Sequence, residues 1–237
     1  DGKELNNLKL KDNGMWVPDW DIDDCHDMWN EETYQWGLID DIIRNFPNNR
    51  KGTAIDIGAN VGYTARRLAK YFDRVYAFEP LESTFECLVK NTEHLTNVQN
   101  YNYAICDFVG SGLMKSGNAS GHSYLTRYTP PGLVAGRNRK VRVTTLYKLP
   151  IDNIDLIKMD AEGAEIDIIQ FHRKLIIRYK PIMIVEAAVN RQKTRDLMHS
   201  IEYIEMYIRN KDRIYVHKDR IREVFEKLPL IWGHNFV

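Results

Sequence analysis

The run AIDIGANVGYTARRLA, from Ala54 to Ala69, constrains the fold more than any other stretch of the chain. An apolar segment ends near Asp56, a turn of small residues follows, and a helical pattern starts at once. A strand, a glycine turn and a helix in direct succession open a βαβ unit. Glycine permits the tight turn, and small side chains let a ligand approach the backbone. The helix start adds N–H groups that have no partner inside the helix. In open α/β sheets such turns lie at the carboxyl ends of the strands, where ligands bind.

The same alternation continues downstream. TAIDIG and RVYAFEP read as strands around one helix, LESTFECLVKNTEHL as a second helix, and VQNYNYAICD as a third strand. NIDLIKMD and PIMIVEAAV read as further strands, with helices expected from about Ala164 and from Arg191 to Ser200. IEYIEMYIRNKDRIYVHK differs: two strand-like runs around the polar turn RNKD signal a hairpin rather than a crossover. The pattern predicts a mostly parallel sheet with crossover helices over residues 51–217. Residues 107–140, rich in Gly, Ser, Asn and Pro, interrupt it as an excursion with short strands at its ends. Residues 1–50 are expected to hold an irregular acidic and aromatic stretch to about residue 30. A helix with Tyr34, Leu38, Ile42 and Phe46 on one face should follow. This segment is a candidate flap over the site. Residues 218–237 would form a last helix, Asp219 to Lys227, and a tail.

Composition excludes some function classes. The 237 residues carry 33 basic and 33 acidic side chains, so the net charge is zero. That argues against a nucleic-acid protein held mainly by phosphate contacts. No apolar run has the length of a membrane span, and the opening stretch is too polar for a secretory leader. Cys25, Cys87 and Cys106 are scattered and odd in number, so neither a disulfide framework nor a metal-ligand pair is implied, and a cytoplasmic setting is expected. The spacing of Asp19, Asp21 and Asp23 mimics a calcium loop. Asp24 and Asn30 then stand where that loop needs Gly and Glu, so it is rejected. Trp16, Trp20 and Trp29 either line an acceptor pocket or pack onto the sheet.

A dinucleotide fingerprint needs G-x-G-x-x-G. Counted from Gly58, its second and third glycines are Asn60 and Tyr63, so it fails twice. Glu79, at the end of the next strand, can accept from two ribose hydroxyls in either ligand class. The D-x-G-A-N-x-G run resembles motif I of class I S-adenosylmethionine methyltransferases. Together with YAFEP and IDLIKMDAEGAE (Ile154–Glu165), it resembles the FkbM-type methyltransferase family over about residues 50–217. That resemblance implies a Rossmann-like α/β fold, with a doubly wound, mostly parallel seven-stranded sheet and a C-terminal antiparallel hairpin strand. It also implies S-adenosylmethionine as cofactor and a hydroxyl of a sugar or natural product as acceptor. It assigns Asp56, Gly58, Ala59, Asn60, Gly62, Glu79 and Pro80 to the cofactor, with Ala104 to Asp107 near the adenine. An Asp at 107 is equally explained by the turn DFVGSG. One departure stands out: Tyr147 occupies a place where the family often has an acid.

A hydroxyl acceptor benefits from a base or a metal. Asp160, Glu162 and Glu186 fall at adjacent strand ends and should share one rim of the sheet. Three readings stay open for them: a structural ion-pair cluster with Lys158, a base or positioning group for the acceptor, or a hard-cation site such as Mg2+. Glu165 and Asp167 suit the positive start of a helix. His122, in the excursion, is a candidate proton carrier or an exposed loop residue. A nicotinamide-dependent oxidoreductase and a non-catalytic module that keeps the cofactor fold remain the alternatives.

Overall fold

A computed structural model describes residues 7–21, 51–116, 123–128, 137–186, 191–209 and 212–222. The core is a seven-stranded sheet in the order β12-β13-β11-β10-β3-β4-β5. These are β3 (Thr53–Ile57), β4 (Arg74–Phe78), β5 (Val98–Tyr101), β10 (Leu156–Met159), β11 (Ile182–Glu186), β12 (Tyr203–Arg209) and β13 (Asp212–His217). The first five run parallel. β13 lies antiparallel to β11 and β12, so the sheet is mixed.

Its inner strands β3, β4, β10 and β11 are largely apolar on both faces because both faces are covered. Side chains alternate across a strand. Ala54, Val75, Leu156, Ile182 and Ile184 therefore fall in one core, and Ile55, Tyr76, Ile157, Met183 and Val185 in the other. Helices α1 (Tyr63–Ala69) and α2 (Glu82–Thr92) close the first face through Ala65, Leu68 and Leu88. Helices α3 (Glu165–Phe171), α4 (Arg173–Tyr179) and α5 (Arg191–Ser200) close the second through Ile168, Ile169, Ile176 and Met198. Leu68 and Leu88 are fully buried, and each contributes about 2 kcal/mol of transfer free energy.

The structure departs from the sequence expectation in three places. VQNYNYAICD is not one strand. β5 stops at Tyr101, where Asn102 turns its amide to the carbonyl oxygens of Glu79 and Pro80, both at 3.0 Å. β6 (Ala104–Ile105) then joins a different sheet. That four-stranded sheet, β6-β9-β7-β8, is built by the excursion, which is more regular than its composition suggests. β7 (Gly110–Ser116) and β9 (Arg137–Thr144) are long, β8 (Ser123–Leu125) is short, and Met114, Leu125, Val141 and Val143 form its core.

The third departure is at the N-terminus. Residues expected to be irregular include a hairpin, β1 (Leu8–Leu10) with β2 (Trp16–Pro18). Asn91 of α2 holds it. Its side chain accepts from Trp16 N at 2.8 Å and donates to Trp16 O and Val61 O at 2.8 and 2.7 Å. Trp16 packs on α2 beneath the Lys90 ammonium, 4.1 Å from its ring centroid, which favours the packing role over a pocket. The helix expected over Glu31–Phe46, together with Cys25 and Trp29, lies outside the described residues. So does the last helix beyond residue 222.

Candidate functional site

The glycine turn is shaped from within the protein. The N–H groups of Gly58 and Ala59 both donate to Phe78 O, at 3.0 and 2.9 Å. Asp160 N donates to Ile57 O at 2.9 Å, which carries the chain after β10 directly over Gly58. A Cβ on Gly58 would stand 1.8 Å from the Asp160 carbonyl oxygen, and the residue has φ +77°. The close approach that demands glycine here is thus by the chain's own backbone. Asn60 takes the left-handed conformation, φ 49°, and Gly62, φ 102°, leads into α1.

Glu79 ties this turn to the end of β4. Its Oε2 accepts from Asn60 N at 3.0 Å and its Oε1 from Leu81 N at 2.9 Å. Burial pushes its carboxyl up to about 7, against the pull of those two N–H groups. Each carboxylate oxygen retains a second lone pair for a further donor. Pro80 follows directly, its carbonyl fixed by Asn102.

Asp56 is buried on β3, in register with Lys158 of β10. Among the described residues, neither of its carboxylate oxygens has a partner of hydrogen-bonding geometry. Burial raises its carboxyl to about 6; Lys158 and, electrostatically, the Ala65 N–H oppose this, while Asp160 adds to it. Lys158 Nζ lies 3.2 Å from Asp160 Oδ2, so one buried ammonium serves two carboxylates.

This arrangement has a pH consequence. Both Asp56 and Glu79 hold their protons to higher pH in the folded state than their ordinary values of 3.8 and 4.5. Their contribution is fully present below about pH 4 and is lost as pH rises through 6 to 7. His172, pushed down to about 4 by burial, acts in the opposite sense. The difference between variant and wild type therefore isolates the effect. Asp56→Asn should gain stability relative to wild type as pH rises from 4 to 7, by up to about 3 kcal/mol. Urea titrations across that range check this, and a difference that stays flat refutes it.

The rim carboxylates do meet. Asp160, Glu162 and Glu186, all half-buried, each place one oxygen within 4.8 Å of the other two. β10 and β11 run side by side, Met159 opposite Val185, so the residues that follow converge. Glu162 sits in the left-handed region, φ 48°, followed by Gly163 at φ 102°. Glu165 shapes that turn: its Oε1 accepts from Ala161 N at 2.9 Å and Gly163 N at 3.2 Å. It does more than meet a helix start.

Other candidates are placed elsewhere. Ala104 pairs with Val143 in the second sheet and does not end a strand of the main one. Asp107 is clamped by Arg127 through two bonds of 2.8 and 3.0 Å. Partial burial favours its neutral form, but bonds from Cys106 and Arg127 outweigh that and hold its carboxyl below the usual range. His122 lies outside the described residues.

Two polar side chains that fix the surrounding fold went unseen in the sequence. Asn102 fixes the loop after Glu79, and only its place between two apolar runs hinted at a turn. His172 is buried, accepts from Leu146 N at 3.0 Å through Nε2 and donates through Nδ1 to Ile168 O at 2.8 Å. Tyr147 stacks on its ring, centroids 5.3 Å apart. No spacing in the sequence signals either contact.

Comparison with known proteins adds a family. Residues 56–215 match the methyltransferase FkbM domain. A methyltransferase-like protein of Dictyostelium discoideum is 38% identical over 71 residues, which are 30% of this chain and 23% of that one. The crystal structure of methyltransferase FkbM from Methylobacillus flagellatus aligns with 71% of this chain at 17% identity and a TM-score of 0.49. Precorrin-6y C5,15-methyltransferase from Geobacter metallireducens aligns with 74% of this chain and 84% of its own, at 12% identity and a TM-score of 0.40. The chain spans less than a quarter of the Dictyostelium protein and 44% of the Methylobacillus one. Among the described residues, no helix is long and apolar enough to cross a membrane.

Proposed function

Because the chain belongs to the methyltransferase FkbM domain family, we propose that it uses S-adenosylmethionine to methylate a hydroxyl oxygen of a sugar or natural product. The observation that carries this reading is the convergence of two features at adjoining strand ends. One is the Gly58–Gly62 turn tied to Glu79; the other is the carboxylate cluster of Asp160, Glu162 and Glu186.

The residues present fit the cofactor. Glu79 has lone pairs to accept from both ribose hydroxyls. Asp56 is a buried carboxylate without a hydrogen-bond partner among the described residues, and it favours a positive charge nearby. Backbone N–H groups of the turn from Gly58 through Ala59 and Asn60 to Gly62 would border the methionine end. Pro80, whose carbonyl Asn102 fixes, would border the adenine.

The cofactor supplies a methyl group already activated on a sulfonium. The protein's remaining tasks are to align the acceptor and to take its proton. Asp160 is already paired with the Lys158 ammonium. Glu162 is placed by a backbone conformation unfavourable for its residue type, a cost that is retained at functional positions. We assign the proton acceptor to Glu162, with Asp160 and Glu186 positioning the hydroxyl. The clustering of three carboxylate oxygens also favours a second reading, in which the same residues hold Mg2+.

Calorimetry tests the cofactor assignment. S-adenosylhomocysteine should bind and NAD should not, since Asn60 and Tyr63 stand where a dinucleotide site needs glycine. Glu79→Gln removes the charge that accepts the ribose hydroxyls, an interaction worth roughly 1.5–3 kcal/mol, so affinity should fall about tenfold or more. A folded Glu79→Gln variant with unchanged affinity would sink the assignment.

A further inference from the structure

The second sheet concentrates positive charge on a chain whose net charge is zero. From Asn102 to Lys148 there are seven lysines and arginines and one acid, Asp107. Strand alternation sorts them. Met114 and Val141 turn into the small core, so Leu113 and Lys115 on β7, and Lys140 and Arg142 on β9, take the opposite face. Register sets Leu113 beside Lys140 and Ser111 beside Arg142. Lys140 and Arg142 are exposed. Leu113 is 50% exposed, and Val109, just before β7, is 58% exposed.

This face is fastened to the candidate site. The Arg142 guanidinium lies 4.6 Å from the Tyr103 ring centroid and donates to Asn102 Oδ1 at 3.1 Å. Asn102 in turn holds the carbonyls of Glu79 and Pro80. The cationic face and the loop after β4 thus share Asn102 as a common anchor.

We propose that the outer face of the second sheet docks on an anionic phospholipid surface. Its lysines and arginines match the charge of the headgroups. Leu113 and Val109 stand among those cations and gain by entering the headgroup boundary, as the apolar residues of interfacial segments do. A soluble polyanion would pair with the cations and leave both side chains in water. A single-stranded nucleic acid would use exposed aromatic faces for stacking. Here Tyr103 lies under Arg142 and Tyr124 is buried.

Sedimentation with vesicles tests the proposal on the whole chain. Phosphatidylcholine vesicles containing phosphatidylserine should carry the protein down, vesicles of phosphatidylcholine alone should not, and added salt should release it. Leu113→Ser combined with Lys140→Glu should weaken vesicle binding about tenfold or more. The melting temperature and the affinity for S-adenosylhomocysteine should stay unchanged, and Lys140→Arg should retain vesicle binding. No binding to the anionic vesicles overturns the proposal. So does vesicle binding that Leu113→Ser leaves intact and heparin fully displaces, because the face would then serve a soluble polyanion.

Discussion

Gly58→Ala is expected to prevent the domain from folding stably, well before any question of cofactor binding arises. The added Cβ would meet the Asp160 carbonyl oxygen at 1.8 Å, with the carbonyl carbon at 2.9 Å. Both obstacles are backbone, held by the bond from Asp160 N to Ile57 O, so no side-chain rotation relieves them. The positive φ adds its own cost of about 1–3 kcal/mol for a residue with a side chain. Together these place the variant among the rare substitutions that cost more than about 4–5 kcal/mol, a large share of a typical domain's roughly 5–15 kcal/mol. Gly62→Ala is the control. Its Cβ would meet Leu88 Cδ1 at 2.9 Å, the end of a side chain that can turn away. That variant should fold with a loss nearer the strain term alone. Urea unfolding of both checks the contrast, and a Gly58→Ala protein as stable as Gly62→Ala refutes it.

Glu162→Gln should lower kcat by about 10²–10⁴-fold, the usual worth of a positioned base. Size and hydrogen bonding are kept while basicity is lost. The cofactor dissociation constant should hardly change, because Glu79 and the turn lie on other strand ends. The left-handed backbone at Glu162 accepts Gln as well as Glu, so stability should be preserved. Chelator separates the two readings of the cluster. If Asp160, Glu162 and Glu186 hold Mg2+, wild-type activity should vanish with chelator and return with the ion. Normal kcat in Glu162→Gln, in a preparation indifferent to chelator, excludes both roles and leaves alignment to supply the rate.

Much of the frame was legible because it rests on local periodicity. The short, nearly continuous apolar runs at Thr53–Ile57, Leu156–Met159 and Ile182–Glu186 mark strands buried on two faces, whatever they pair with. The polar turn between two strand-like runs announced the hairpin of Tyr203–Arg209 and Asp212–His217. Strand order then follows from crossovers and brings Asp160, Glu162 and Glu186 to one rim, as their positions at strand ends implied. The excursion was less legible. Its Gly and Ser residues read as loop, yet Gly110 and Gly112 lie in β7. Gly112 faces Leu125 and Val143, which leave its Cβ position little room.

Local sequence pattern specifies the strand–helix alternation, the small turn at Gly58–Gly62 and the acid at the end of each key strand. Those depend on a residue's near neighbours and its own conformational limits. What the small turn is small for emerges from packing between distant segments. The Asp160 carbonyl crosses Gly58, and Glu79 is engaged by Asn60 N and Leu81 N as well as open to a further donor. The tertiary structure also decided that Asn102 ends β5, that Asn91 holds the hairpin of residues 8–18, and that Asp56 stands beside Lys158 of the neighbouring strand. Each of these is a contact between segments far apart in the chain. Such a contact forms only when packing has removed water from both groups and left each the other's nearest partner, and no local pattern encodes that.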